Sequence, residues 1–160
     1  MKISTESGFL EGLFRKLVGE RTPRNAPRVR AIFEKAMEEA GVMQVLKTHI
    51  DVEVPALKRS VKAAYGYQNG RFNMIEPVSF VSAPSVWGTA CTRAIEGEAV
   101  YKLRDSKFGK LKLSIIGQFG KESQEQESVV SDLLKARDVG FYNLANLALL
   151  IDDIRKHHPK

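Results

Sequence analysis

The dipeptide Asn69-Gly70, set between two runs of strand-forming residues, restricts this chain more than any other feature. A type I′ turn needs positive φ at both central residues, and Asn-Gly tolerates that at the least cost. The flanking runs KRSVKAAYGYQ and RFNMIEPVSF are therefore read as antiparallel strands near 58–68 and 71–76. Pro77 limits regular pairing before an extended run resumes at Val78–Val81. A two-residue turn sets Tyr67 opposite Phe72 and Tyr65 opposite Met74, giving one aromatic face. A hairpin is the scaffold on which the other segments must pack.

Before the hairpin, Val29, Ile32, Phe33, Ala36, Met37 and Ala40 recur at helical spacing over 28–40, and Gly41 suits a left-handed C-terminal residue. Leu46, Thr48, Ile50, Val52 and Val54 then alternate with Lys47, His49, Asp51 and Glu53, the pattern of a half-buried strand ending at Pro55. Further upstream, Ser4–Ser7 caps a helix over 7–19 whose stripe is Phe9, Leu10, Leu13, Phe14, Leu17 and Val18. A basic loop, ERTPRNAPR, follows it. This stripe either packs on the domain or serves a partner or a second copy, so residues 1–27 form a unit able to pack separately.

After the hairpin, Ser82, Pro84 and Ser85 start a helix carrying Val86, Trp87, Ala90, Cys91, Ala94 and Ile95 inward, and DSKFGK makes a turn. Leu111, Leu113, Ile115, Gly117 and Phe119 with Ile116 on the other side imply an interior strand. Ser123 and Gln126 form a capping box for a helix to about Arg137, with Val129, Val130, Leu133 and Leu134 inward. Val139–Tyr142 is a short extended piece, and Asn143 caps a last helix with Leu144, Leu147, Ala148, Ile151 and Ile154 inward.

The implied class is α+β: a three-stranded, hairpin-containing sheet extended by one or two further strands and flanked by helices, one domain over 1–160. This order of elements resembles the restriction-endonuclease-like fold over roughly residues 28–154. In that family, active members carry an acid on the second core strand and an acidic-x-Lys triplet on the third. Two carboxylates hold the divalent metal and the lysine supports the attacking water. Here the third strand offers Glu76-Pro77-Val78, and the second, SVKAAYGYQ, has no acid. The resemblance thus implies a member without the catalytic set; the nearest other acids, Asp51 and Glu53, lie on the preceding strand and point outward.

Composition excludes several classes. No apolar run approaches the roughly 18 residues of a membrane span, and MKISTESGFLEGLF lacks the pattern of a signal peptide, so a cytoplasmic location is expected. Cys91 is the only cysteine, which rules out an internal disulfide and a cysteine-rich zinc site, and its place on an apolar stripe implies a buried, inert thiol. His49 stands alone and His157 and His158 are adjacent near the C-terminal end, so no metal set emerges, and there is no GxSxG, phosphate loop or GxGxxG.

Charge supplies the functional expectation. The net charge is +6, and the first 120 residues hold nineteen Lys/Arg against twelve Asp/Glu. Lys58, Arg59, Lys62 and Arg71 lie along the hairpin, and Lys102, Arg104, Lys107, Lys110 and Lys112 cluster at the next turn and strand. Convergence of these with Arg21, Arg24, Arg28 and Arg30 gives phosphate contacts. Tyr65, Tyr67 and Phe72 are then either stacking groups or core, the core being preferred. The expectation is a non-catalytic basic domain that binds DNA, RNA or a nucleic-acid-handling protein, as a regulatory, defence or phage-type accessory protein. Two alternatives stand beside it. One is a degraded or atypical metal nuclease using Asp51, Glu53 or Glu76; the other is a protein-interaction subunit acting through the helix at 7–19. No residue is assigned as catalytic or metal-binding, and no cofactor is implied.

Overall fold

The computed structural model describes residues 26–80, 83–121 and 123–157. Helix α1 (Ala26–Ala40) leads into β1 (Lys47–Val54), β2 (Arg59–Gln68) and β3 (Phe72–Phe80). Then come α2 (Ala83–Lys102), β4 (Arg104–Asp105), β5 (Gly109–Phe119), α3 (Glu127–Ala136), β6 (Gly140–Asn143) and α4 (Leu147–His157). The expected helix at 7–19 and the loop bearing Arg21 and Arg24 lie outside the described residues. No described helix is long and apolar enough to cross a membrane.

The strands form one six-stranded mixed sheet in the order β1-β2-β3-β5-β4, with β6 also paired to β5. The first three run antiparallel, while β3–β5 and β5–β6 are parallel. Parallel neighbours need a crossover, and α2 and α3 supply the two. Met74, Leu113 and Ile115 pack with Val86, Ala90, Val130 and Leu134 of those helices on one face. Ile75 and Ile116 pack with Phe33 of α1 and Leu147 and Ile151 of α4 on the other. The strand β5 thus carries apolar groups on both sides, as its sequence implies, and the fold is α+β.

Five local expectations are corrected. The hairpin register is Tyr67 with Asn73 and Tyr65 with Ile75, one residue away from that of a two-residue turn. The loop is Asn69-Gly70-Arg71, with Gly70 at φ 95° and the Asn69 N–H donating to the Arg71 carbonyl. A one-residue slip exchanges faces, so Phe72 joins the α2 side while Tyr65 and Tyr67 join the α1 side. Gly66 explains the preference: a Cβ there would meet the Phe72 ring at 2.4 Å, so the ring lies over the glycine. Pro77, secondly, does not interrupt β3, which pairs with β5 through Pro77 and Ile116. At that point β2 no longer pairs with β3, leaving an edge of the kind that accepts proline.

The helix stripe on α2 also differs. Val86, Ala90, Ala94 and Val100 face the core, whereas Trp87, Cys91 and Ile95 are exposed. Similarly, Val130 and Leu134 of α3 are buried but Val129 is exposed. Finally, Ser123 does not cap α3, because its hydroxyl turns inward to donate to the Phe80 carbonyl and to accept from the Gly120 N–H. The Asn143 cap does form, as a reciprocal box with Asn146 that opens a short 3-10 turn before α4.

The sheet bends where His49 adopts φ 56°, a left-handed conformation within β1. Ile50, Val52 and Val54, with Val61 and Ala63, face α2, but Leu46 and Tyr65 belong to the opposite cluster. Alternation therefore breaks in both strands at the His49 and Ala64 level, and the β1–β2 pair turns away from β3. The outcome is a fork between β2 and β3.

Candidate functional site

Glu76 stands in this fork. Its carboxylate accepts the Ala64 N–H at 2.8 Å, replacing the ladder partner that β3 no longer offers. From α2, Arg93 approaches the same carboxylate at 3.9 Å and grips Glu96 at 2.9 Å; Arg59 of β2 reaches Glu96 from the other side, also at 2.9 Å. Burial pushes the Glu76 carboxyl above its ordinary range, and Arg93, the Ala64 N–H and Arg30 pull against that. The four side chains form a continuous ion-pair chain in which each carboxylate already has cationic and hydrogen-bonding partners. Such an arrangement closes the fork and locks α2 to β2 and β3.

Asp51 and Glu53 do not join it. They alternate with Ile50, Val52 and Val54, which face α2, so they project from the opposite face, opposite Lys62 and Ser60 of β2. Among the described residues no three His, Cys, Asp or Glu side chains come together to hold a metal ion.

The nine basic residues singled out from the sequence divide into those used by the fold and those left to solvent. Arg59 is held by Glu96. Arg71 stacks on the Tyr101 ring at 3.8 Å and donates to the Leu111 and Tyr101 carbonyls at 2.9 and 3.3 Å, so it ties the hairpin loop to α2 and β5. Lys58 sits at the exposed β1–β2 turn, and Lys62 is exposed on the face away from α2. The hairpin cations therefore share no single face. At the corner made by the end of α2, β4 and the start of β5, by contrast, Lys102, Arg104, Lys107 and Lys110 are all exposed. Asp105 shapes this corner by accepting the Lys107 and Phe108 N–H groups at 2.9 Å. Phe108 anchors it by stacking on Phe72 at 4.2 Å. Across a pocket of about 220 Å³, Lys107 meets Lys47, Thr48, His49 and Asp51 of β1.

Tyr65, Tyr67 and Phe72 are buried, and none offers a stacking surface. The hydroxyl of Tyr65 donates to Glu34, and its ring lies 5.0 Å from that of Phe33. The Tyr67 hydroxyl donates to Asp153, which also accepts from Asn69 at 2.6 Å. Burial and the neighbouring carboxylates raise both phenols well above their usual range, so both stay protonated donors. Lys112, the last of the nine, lines a separate cleft that this Tyr67–Asp153 network also lines.

The structure adds Lys47 and His49 to the corner, which no local pattern marked because they reach it from β1 through the sheet bend. It also brings Glu76, Arg93 and Glu96 together, a grouping hidden by the fact that α2 meets the fork only after folding. Comparison of the chain with protein-family models, with curated proteins and with solved structures finds no match.

Proposed function

We propose that this chain is a non-catalytic, cytoplasmic α+β domain that binds nucleic acid through the corner built from Lys102, Arg104, Lys107 and Lys110, joined by Lys47. The observation that carries this reading is the convergence of exposed cations from three strands and a helix end, with no carboxylate on Arg104, Lys107, Lys110 or Lys47 among the described residues. Only Lys102 has such a partner, Glu98 at 3.7 Å. Cations of this kind exchange water and counterions for phosphates at little structural cost. The order α1-β1-β2-β3-α2-β4-β5, in which the two-residue β4 precedes β5, supports a restriction-endonuclease-like reading of the domain, and the ion-paired fork supports a role without cleavage.

Labelled DNA and RNA, duplex and single-stranded, titrated across a salt series with and without magnesium, tests the proposal. The expected result is binding that falls linearly on log–log axes without cleavage, the slope shrinking by about 2 in a K107A/K110A variant. Absence of binding at low salt overturns it. A protein-interaction reading draws on a different observation, the exposed Trp87 and Ile95 on α2. It predicts a complex or dimer that is lost in a W87A/I95A variant, and the alternative surface, the helix expected at 7–19, predicts a loss when residues 1–20 are deleted.

A further inference from the structure

The cleft that Lys112 lines encloses about 670 Å³ and is open on one side. This lies within the roughly 300–1,000 Å³ typical of small-ligand sites. Its floor comes from the amino-terminal ends of β3, β5 and β6, and its walls from α2, α3 and α4. Its two lysines, Lys112 of β5 and Lys135 in the last turn of α3, have no carboxylate partner among the described residues. Ser114 and Tyr142 add hydroxyls to the same space. The Tyr142 phenol is pushed up by burial and then by Asp153, which keeps it a neutral donor. Gly140 holds the floor open: a Cβ there would lie 2.6 Å from the Ser114 Oγ and 3.7 Å from the Lys112 Cε.

Two ammonium groups and two hydroxyls line this cleft with no carboxylate paired to either ammonium, and of its two carboxylates Asp153 is already engaged by the Tyr67 hydroxyl and the Asn69 amide, so the lining suits an anion with several acceptor oxygens. The exposed Leu149 and the part of the Tyr101 ring not covered by Arg71 add apolar surface, while Asn146 and Asp138 offer polar partners for hydroxyl and amino groups. A phosphate alone leaves most of the volume empty, whereas a phosphate carrying a sugar and a flat ring uses the polar and apolar lining as well.

We propose that this cleft binds a nucleoside 5′-monophosphate group, with Lys112 and Lys135 on the phosphate. Such a group occurs as a free nucleotide and at the end of a strand. The proposal goes beyond the corner and stands on different residues.

Calorimetric titration of the full chain with adenosine and guanosine 5′-monophosphates, the two nucleosides, and 5′-phosphorylated or 5′-hydroxyl dinucleotides tests it. Binding that requires the phosphate, and that weakens at least about tenfold in K112Q and in K135Q, is the expected result. Saturation by the free nucleotides identifies those as the ligand; saturation only by the 5′-phosphorylated dinucleotide identifies a strand end. No heat with any phosphorylated probe at millimolar concentration overturns the proposal, and so does equal affinity in wild type and both variants. Unchanged melting curves for K112Q and K135Q keep the comparison clean. The K107A/K110A variant should bind the nucleotide like wild type, so failure at the corner and failure in the cleft are separable.

Discussion

The β2–β3 fork and the β4–β5 corner use similar side chains in unlike surroundings. At the fork, Arg59 and Arg93 close on Glu96, and Arg93 also reaches Glu76, with Glu96 only 7% exposed. At the corner, Arg104, Lys107 and Lys110 stand in solvent without carboxylate partners among the described residues. The difference follows from desolvation. A buried charge needs a partner because removing it from water costs several kcal/mol, and the same charge at the surface is satisfied by water and ions. The fork cations are thereby committed to the fold, and the corner cations remain free to meet a polyanion.

Breaking the fork should give the largest effect. R93M removes a partner from both Glu96 and Glu76 and should destabilise the protein by about 3 kcal/mol, seen as a fall in Tm of roughly 6–12 °C. Adding E96M should restore most of that loss, because the uncompensated buried charge goes with it. A wild-type melting curve for R93M would place fork and corner in the same class.

The next effect is a pH dependence. Burial holds Glu76 above its ordinary 4.5, so as pH falls the folded state takes up this proton before the unfolded state does. Its contribution to stability therefore rises as pH drops from neutrality and is complete below 4.5. The stability of wild type relative to E76Q, measured by urea unfolding between pH 7 and pH 4, should increase towards acid. A constant difference would mean that Glu76 is as well solvated as a corner residue.

The smallest effect belongs to the corner itself. K107A/K110A should leave stability within about 0.5 kcal/mol of wild type while weakening nucleic-acid binding. A larger loss would show that these lysines support the fold after all.

Much of the fold was legible because its signals are local. The 3.6-residue period of Val29 to Ala40, the two-sided apolar pattern of Leu111 to Phe119 and the Asn143 cap each act within a few residues, and each element forms where its pattern stands. The α2 stripe shows the limit. Trp87, Cys91 and Ile95 extend the same helical pattern as Val86, Ala90 and Ala94, yet only the latter meet the sheet, since a helix packed on one face has room for one stripe. The hairpin shows another. Asn69-Gly70 announces a turn, but the register depends on where the Phe72 ring finds space, and that is over Gly66.

Little of either site was legible. Lys102 to Lys110 are near one another in sequence and remain so at the corner, whereas Lys47, Glu76, Arg93 and Glu96 gain their meaning from the bend at His49 and the docking of α2. The chain by itself determined the kinds of elements, their order and the sign of the charge, for these depend on residue type and short-range spacing. Only the tertiary structure decided which faces are buried, which cations are answered and where the sheet divides. Those outcomes depend on contacts between segments far apart in sequence and on the water such contacts exclude.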